Sequence, residues 1–322
     1  MTLNTRLTQR LGIEHPVISA PMGFVAGGKL AAAVTAAGGL GLIGGGYGDA
    51  EWLGREFAAA GNTPVGCGFI TWSLARQPQL LDLVLAHAPA ALMLSFGAPG
   101  PFAAAIKATG TQFICQVQSM AHAREAVAAG ADIIVAQGGE AGGHGELRTT
   151  FTLVPEVADY LAKAAPDTLL VAAGGVADGR GLAAALMLGA DGVLVGSRFL
   201  ASPEVLLAPG LQQAVLDAGG DATVKTRVLD IVRKFDWPQP FTGRALRTGF
   251  VKEWHGREAE LAAPSAVERE GKRYTQARDS GDADNTGIFV GEAVGLINDV
   301  RPAGDIVRGL VADAERVMAR RF

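Results

Sequence analysis

Cysteine, aromatic residues and net charge are all scarce in this chain of 322 residues. The two cysteines, Cys67 and Cys115, fit neither a disulfide framework nor a zinc site, so a reducing cytoplasm is the expected location. Aromatic residues make up 6% of the chain. The formal net charge is −4, and the basic residues form no continuous stretch along the sequence. These properties argue against nucleic acid as the main partner.

Long apolar segments are also missing. The N-terminal stretch MTLNTRLTQRLG has no apolar core of the kind found in signal peptides. Apolar runs such as 30–43 are rich in alanine and glycine and end before the roughly 18–20 residues needed to span a bilayer. We therefore expect a soluble protein without a membrane partner, acting as a monomer or a homodimer.

What the chain does contain is a large apolar fraction and much glycine. Hydrophobic residues make up 49% and charged residues 19%, enough for a sizeable core. The 44 glycines cluster after short apolar runs that predict strands. Eight such runs cover residues 16–22, 39–46, 65–71, 91–97, 113–119, 132–139, 169–175 and 192–199. Most lack two-residue alternation, which is typical of strands buried on both faces of a parallel sheet, and helix-like segments separate them. The pattern predicts an α/β fold, a (β/α)₈ barrel.

The repeating pattern stops after Phe199. Charged, helix-compatible stretches and the segment FDWPQPF follow, without a strong strand signal. We expect residues 1–204 and 286–322 to form the barrel and residues 205–285 to form a helical insert that covers the barrel mouth. The aromatic residues of this insert are predicted to line the substrate entrance or to pack in a helical core: Phe235, Trp237, Phe241 and Trp254.

In a barrel, the site is built from loops at the carboxyl ends of the strands. The loop after the first run contains Ala20, Pro21, Met22 and Gly23, which can place backbone against a flat ligand. Glycines follow the seventh and eighth runs, where this fold often binds phosphate through backbone N–H groups. The residues concerned are Gly174, Gly175, Gly196 and Ser197, and Asp178 is a predicted cap for the next helix.

The sixth run ends in AQGGEAGGHGE, in which His144 stands between glycines. Gln137 is the last polar residue of the predicted strand, and the glycines allow the loop to fold tightly. This places His144 at a functional strand end, so we interpret it as catalytic. The other four histidines are interpreted as structural: His15, His87, His122 and His255.

Several other kinds of site are poorly supported. No cluster of His, Cys and Asp has metal-ligand spacing, so no metal is expected. Neither a GxSxG elbow nor a P-loop is present, and no GxGxxG lies between an early strand and helix.

Four segments together make the chain resemble the nitronate monooxygenases, formerly called 2-nitropropane dioxygenases. They are the APMG loop, the AQGxEAGGH pattern, AAGGVADGRGLAAALMLGADGVLVGSRF and GDADNTGIFVGEAVGLI. The resemblance covers nearly the whole chain and implies an FMN-dependent (β/α)₈ enzyme. The same wider group includes FMN-dependent enoyl-acyl-carrier-protein reductases and NADH:quinone reductases.

The resemblance also implies roles for individual residues. His144 would be the catalytic histidine, and Ala20 to Gly23 would pack against the flavin ring. Gln137, Gly142 and Gly143 would line the flavin, and its phosphate would lie against Gly174, Gly175, Val195, Gly196 and Ser197. Relatives of the quinone-reductase type have asparagine at the position of Gly68 and lysine at that of Gln116. This chain has neither side chain, so the flavin contacts that they imply are absent at Gly68 and Gln116, and Gln116 would be a neutral replacement for the lysine.

The implied reaction is oxidation of an alkyl nitronate by O₂ to a carbonyl compound and nitrite. His144 would hold the nitro group when protonated, or remove the α-proton of a nitroalkane when neutral. Glu140 or Glu146 can orient the ring, although solvation of the loop is the simpler role for both. Two alternatives remain: an NAD(P)H-dependent quinone or enoyl-thioester reductase, and a non-catalytic flavin or phosphate-ligand carrier or sensor.

Overall fold

Eight parallel strands form the barrel predicted from the sequence, in a computed structural model that describes residues 3–320. In chain order the barrel strands are β1 (Val17–Ser19), β2 (Leu42–Gly46), β3 (Gly66–Ile70), β4 (Ala91–Ser95), β5 (Gln112–Val117), β6 (Ile133–Gln137), β8 (Leu169–Ala173) and β9 (Gly192–Val195). From β2 onward, neighbours in this order pair with each other, and β9 pairs with β1. A parallel bridge between Ile18 and Leu40 joins β1 to the segment entering β2. The predicted fold class is confirmed.

Helices surround the strands. They are α1 (Arg6–Leu11), α2 (Gly28–Ala36), α3 (Ala50–Ala60), α4 (Thr71–Leu74), α5 (Gln79–Leu85), α6 (Gly100–Ala108), α7 (Met120–Ala128), α8 (Thr150–Ala164), α9 (Gly179–Met187) and, near the end, α15 (Ala303–Met318). The last helix packs against α9 and α2. Asp178 accepts from the backbone N–H groups of Arg180 and Gly181, which confirms it as the cap of α9.

Alternate residues of each strand enter two different cores. Ala91 and Met93 of β4 belong to the cluster inside the barrel, whereas Leu92 and Leu94 pack in the layer between strands and helices. Because both faces are buried, every residue of β4 is apolar except the last, Ser95. This explains why the strands appear in the sequence as continuous apolar runs.

The segment after β9 contains more than the predicted helices. Its elements are a 3₁₀ turn (Ser197–Ala201), α10 (Pro209–Leu216), a 3₁₀ turn (Gly220–Ala222), β10 (Thr223–Thr226), α11 (Val228–Val232), β11 (Thr242–Leu246), α12 (Gly249–Trp254), α13 (Glu258–Leu261), α14 (Pro264–Ser280) and 3₁₀ turns at Ala283–Asn285 and Glu292–Leu296. The sequence analysis missed β10 and β11. Both are short and half polar, TVKT and TGRAL, and therefore carry no apolar run.

These two strands connect the insert to the barrel. They form an antiparallel sheet with β7 (Gly143–Gly145), a short strand in the loop after β6. Part of the insert has a core of its own, which includes Leu229, Phe250 and Trp254. Of the two roles predicted for the insert aromatics, Trp254 therefore has the second: it packs in the core of the insert and does not line a substrate entrance. The proposed division at residues 205 and 285 stays a prediction.

Within residues 3–320, no helix is both long enough and apolar enough to cross a lipid bilayer.

Candidate active site

The loop after β6 places His144 inside the protein and holds it in a strand. His144 lies opposite Gly243 of β11 in the antiparallel register, and Gly143 beside it has a φ of +72°, which glycine adopts without strain. A side chain at position 243 would come within 2.6 Å of the Phe289 ring and 3.4 Å of His144 Nε2. The imidazole is therefore fixed by strand pairing and does not swing on a free glycine hinge.

Aromatic rings enclose the imidazole, which is only 7% exposed. Trp237 stacks on it with ring centres 3.4 Å apart and planes 5° from parallel. Phe289 and Phe96 approach at 5.3 and 6.4 Å between ring centres, and Phe241 packs on Phe96. This burial, together with the charges of Arg233 and Lys225, lowers the pKa of His144 below its ordinary value of 6.5 against the opposing effect of Asp230. His144 is thus a neutral base at neutral pH.

Asp230 is the hydrogen-bond partner of the ring. It lies on α11, is 1% exposed, and its Oδ1 is 2.8 Å from His144 Nε2. Its other oxygen, Oδ2, is buried without a hydrogen-bond partner in the described part of the chain. The sequence analysis missed this residue, because Asp230 is 86 positions from His144 and no local pattern connects the two.

Neither glutamate proposed to orient the ring contacts it. The carboxylate of Glu140 accepts from the backbone N–H and the hydroxyl of Thr150, each at 3.0 Å, and so caps α8. Glu146 lies 3.6 Å from His122 Nδ1. Glu140 therefore stabilises the start of α8, a role that differs from the predicted solvation of the loop.

Tyr47, from the loop after β2, ties the insert to the barrel. Its hydroxyl oxygen accepts from Arg233 Nη2 and from Trp237 Nε1, both at 2.9 Å, and its ring stacks on Phe235 at 3.7 Å. Burial raises the pKa of this phenol, so it stays protonated. Tyr47 and Phe235 also line a cavity of about 420 Å³, together with Trp72 and Arg76.

Gln137 and Gln116 come together at the ends of β6 and β5. The side-chain oxygen of Gln137 accepts from Gln116 Nε2 at 3.0 Å and from Gln118 Nε2 at 2.9 Å. Gln118 was not selected from the sequence, although it lies two residues beyond Gln116 along the same segment. The three amides form a neutral polar cluster at the carboxyl end of the barrel.

The loop 20–23 packs directly on the neighbouring strands. A Cβ atom at Gly68 would lie 2.4 Å from Pro21 Cγ, so no side chain fits there with Pro21 in place. Asparagine is excluded at this position for that reason. Gly23 approaches Gly46, and Ala20 and Met22 approach Gly196, so all four loop residues are assembled at the barrel mouth.

The predicted phosphate loops also lie together at the ends of β8 and β9. Gly174 and Gly175 have φ values of +94° and +77°, and Gly175 is exposed. Ser197 Oγ accepts from the backbone N–H of Gly291 at 2.9 Å, and Gly142 packs against the same glycine. The Val195 side chain points into the strand–helix layer, so only its backbone faces this loop.

The two cysteines lie apart from these groups. Both are buried, and burial raises the pKa of the Cys67 thiol to about 12 and that of Cys115 still further, so neither ionises at neutral pH. Among residues 3–320, no group of three or more His, Cys, Asp or Glu side chains is placed to hold a metal ion.

Comparison with known families agrees with this arrangement. The sequence model of the family "Nitronate monooxygenase" matches residues 4–66 and 69–313. The chain belongs to the nitronate monooxygenase family. It is 37% identical to a nitronate monooxygenase of Neurospora crassa over 94% of this chain and 90% of that protein. The protein is thus an oxidoreductase.

Proteins with other names are also similar to this chain. The chain is 30% identical to a (3aS,4S,5R,7aS)-5-hydroxy-7a-methyl-1-oxo-octahydro-1H-indene-4-carboxyl-CoA dehydrogenase of Rhodococcus jostii, over 97% of this chain and 96% of that one. Among solved structures, FabK from Thermotoga maritima superposes with a TM-score of 0.85 at 31% identity, covering 98% of this chain and 97% of that one. Membership of the family therefore leaves the substrate to be argued from the site.

Proposed function

We propose that the protein is an FMN-dependent nitronate monooxygenase that oxidises alkyl nitronates with O₂ to a carbonyl compound and nitrite. The observation that carries the proposal is the neutral, aromatic-enclosed His144 at the mouth of a barrel lined by exposed backbone. FMN would supply the electron transfer from the nitronate to oxygen. The protein supplies binding, orientation and proton handling.

The residues at the ends of β8 and β9 fit a phosphate group. No acceptor within residues 3–320 takes the backbone N–H of Gly175, Gly196 or Ser197. A Cβ at Gly175 would have nothing closer than Glu140 Cβ at 3.8 Å, so this stretch of backbone is open to a ligand. Free amide N–H groups at these loops suit the phosphate of FMN.

The remaining predicted contacts fit a flat, uncharged ring. Loop 20–23 presents backbone and small side chains, and Gln137 and Gln116 present amides that both donate and accept hydrogen bonds. A glutamine at position 116 adds no charge beside the ring, in contrast to a lysine.

The proposed substrate is a small alkyl nitronate because apolar rings surround His144. Trp237, Phe96, Phe241 and Phe289 exclude water and suit short hydrocarbon substituents. His144 would remove the α-proton when the substrate arrives as the neutral nitroalkane, which requires the unprotonated ring. A cytoplasmic location and a monomeric or homodimeric state belong to the same proposal.

Turnover in air tests the proposal. The purified holoprotein is given ethyl nitronate, and oxygen consumption and nitrite release are measured; the extracted cofactor is identified by chromatography. We expect nitrite in proportion to the nitronate consumed, and FMN in the extract. No nitrite, together with rapid NADH oxidation by a quinone or an enoyl thioester, would instead establish the reductase alternative. A bound flavin without either activity would indicate a carrier or sensor.

A further inference from the structure

Asp230 and His144 form a buried pair whose hydrogen-bonding roles are set by chemistry. An ionised carboxylate only accepts hydrogen bonds, so Asp230 Oδ1 must receive the N–H of His144 Nε2 across 2.8 Å. The neutral imidazole carries one proton, and Nδ1 is then left as a bare lone pair. No residue in the described part of the chain hydrogen-bonds Nδ1.

A guanidinium from the same segment lies beside the Asp230 carboxylate. Arg233 Nη2 lies 3.6 Å from Asp230 Oδ1, and the same guanidinium is held by the Tyr47 hydroxyl and by the carbonyl of Leu229. The charged and titratable groups that bear on His144 are thus Asp230 and Arg233 of the α11 segment, Lys225 of β10 and, through Arg233, the Tyr47 phenol.

The pair also joins two separate parts of the fold. His144 lies in the loop after a barrel strand, whereas Asp230 lies on a helix of the segment after β9. Trp237 of the same segment stacks on the ring and prevents it from rotating out of line with Asp230. One segment therefore determines both the plane of the imidazole and the nitrogen that carries its proton.

We propose that Asp230 is a positioning residue that holds His144 as the Nε2–H tautomer, so that Nδ1 is the atom that takes the substrate proton. This inference rests on the proposed function only in giving His144 a proton to accept. In Asp230→Asn the side-chain amide can donate to Nε2, which moves the ring proton to Nδ1 and removes the base. Asparagine has nearly the same shape as aspartate, so this substitution changes the His144 tautomer with little change in packing.

The tautomer can be read without any turnover. The holoprotein is labelled with ¹⁵N-histidine, and long-range ¹H–¹⁵N correlation spectra are recorded from acid to neutral pH; the His144 signals are those missing in His144→Asn. We expect the Nε2–H form in the natural protein, and the Nδ1–H form with a lower pKa in Asp230→Asn, because the carboxylate raises the His144 pKa. The Nδ1–H form in the natural protein would overturn the proposal, even if the variant fails to fold. An unchanged tautomer in a folded Asp230→Asn would also overturn it.

Two substrates separate positioning from general damage. Nitroethane must lose its α-proton to the enzyme, whereas preformed ethyl nitronate has already lost it. We expect Asp230→Asn to lower kcat/KM for nitroethane by about 100-fold, and that for ethyl nitronate much less. Equal losses on both substrates would contradict a role in proton transfer.

The matched control is Asp284→Asn, which changes an exposed aspartate that accepts from the Gly249 N–H, away from His144. It should leave the His144 spectra and both rates unchanged. If the natural protein turns over neither substrate, the proposed function fails, while the spectra still decide the tautomer.

Discussion

The two halves of the candidate site, one from the barrel and one from the insert, differ in the size of the side chains that form them. The barrel half consists of backbone and very small residues: glycines at positions 68, 174, 175 and 196, and the loop 20–23 packed between strand ends. The insert half consists of large side chains, with Trp237 and Asp230 against the imidazole and Arg233 behind them.

This difference assigns different tasks to the two halves. Backbone amides with fixed directions can bind an anionic group, and this binding depends little on side-chain identity. Large side chains determine shape, polarity and proton position around the reacting group. The barrel half is therefore expected to control cofactor binding, and the insert half is expected to control chemistry and substrate choice.

The largest effect should come from His144, where the halves meet. His144→Asn should reduce nitroethane turnover by about 10²- to 10⁴-fold, because the base is lost. The cofactor should remain bound, since the phosphate loops are untouched. Stopped-flow turnover and the flavin-to-protein ratio measure the two properties separately. Turnover near the natural rate would remove His144 from the mechanism.

Cofactor binding should respond to the barrel half alone. Gly175→Asp places a negative charge beside the proposed phosphate and should weaken FMN binding by about 10- to 100-fold, the effect of losing contacts to a charged group. Gly110→Asp is the matched control, because Gly110 has a φ of +74° against +77° at Gly175 and is also exposed. Both variants lose about 1 kcal/mol of stability through the positive φ. Equal cofactor loss in the two would contradict the assignment of the phosphate site.

Packing between the strand ends can be tested at Gly68. Gly68→Ala brings a methyl group within 2.4 Å of Pro21 Cγ and should cost about 1–3 kcal/mol of unfolding free energy, with a shift of the flavin spectrum as loop 20–23 moves. Gly54→Ala, in the interior of α3 with no atom within 4 Å, should stabilise the protein by about 0.5–1 kcal/mol. Urea unfolding measures both. A neutral Gly68→Ala would mean that the loop adapts freely.

The smallest effect concerns the attachment of the insert through Tyr47. Trp237→Phe removes one donor to its hydroxyl, and Tyr47→Phe leaves both the Trp237 N–H and Arg233 without that acceptor. In a double-mutant cycle we expect a coupling of about 0.5–1.5 kcal/mol between the two positions. Urea midpoints of the four proteins measure it. Simple additivity would show that the bond contributes nothing to docking of the insert.

The barrel could be predicted because its strands are buried on both faces, which leaves a continuous apolar run at each of the eight positions. Glycines at the strand ends likewise predicted where the loops fold tightly. The strands β10 and β11 could not be predicted in this way. They are short, and their pairing with β7 depends on tertiary contacts rather than on an apolar pattern.

The insert half of the site was harder to predict for the same reason. His144 stood out because glycines flank it, whereas Asp230 lies in VLDIV, a sequence that resembles any buried helix. Of the four insert aromatics, Trp237 stacks on His144, Phe241 packs on Phe96, Phe235 stacks on Tyr47, and Trp254 packs in the insert core. The choice between entrance and core thus depended on distances that a single sequence does not contain. The catalytic and flavin-binding roles themselves stay predictions.

The central claim is that a nitronate delivers electrons to a flavin bound in this barrel. The direct measurement is the absorption spectrum of the holoprotein under nitrogen, recorded before and after ethyl nitronate and, in a separate sample, NADH. We predict that the nitronate bleaches the flavin absorption and that NADH leaves it unchanged. Bleaching by NADH with no response to the nitronate would contradict the account.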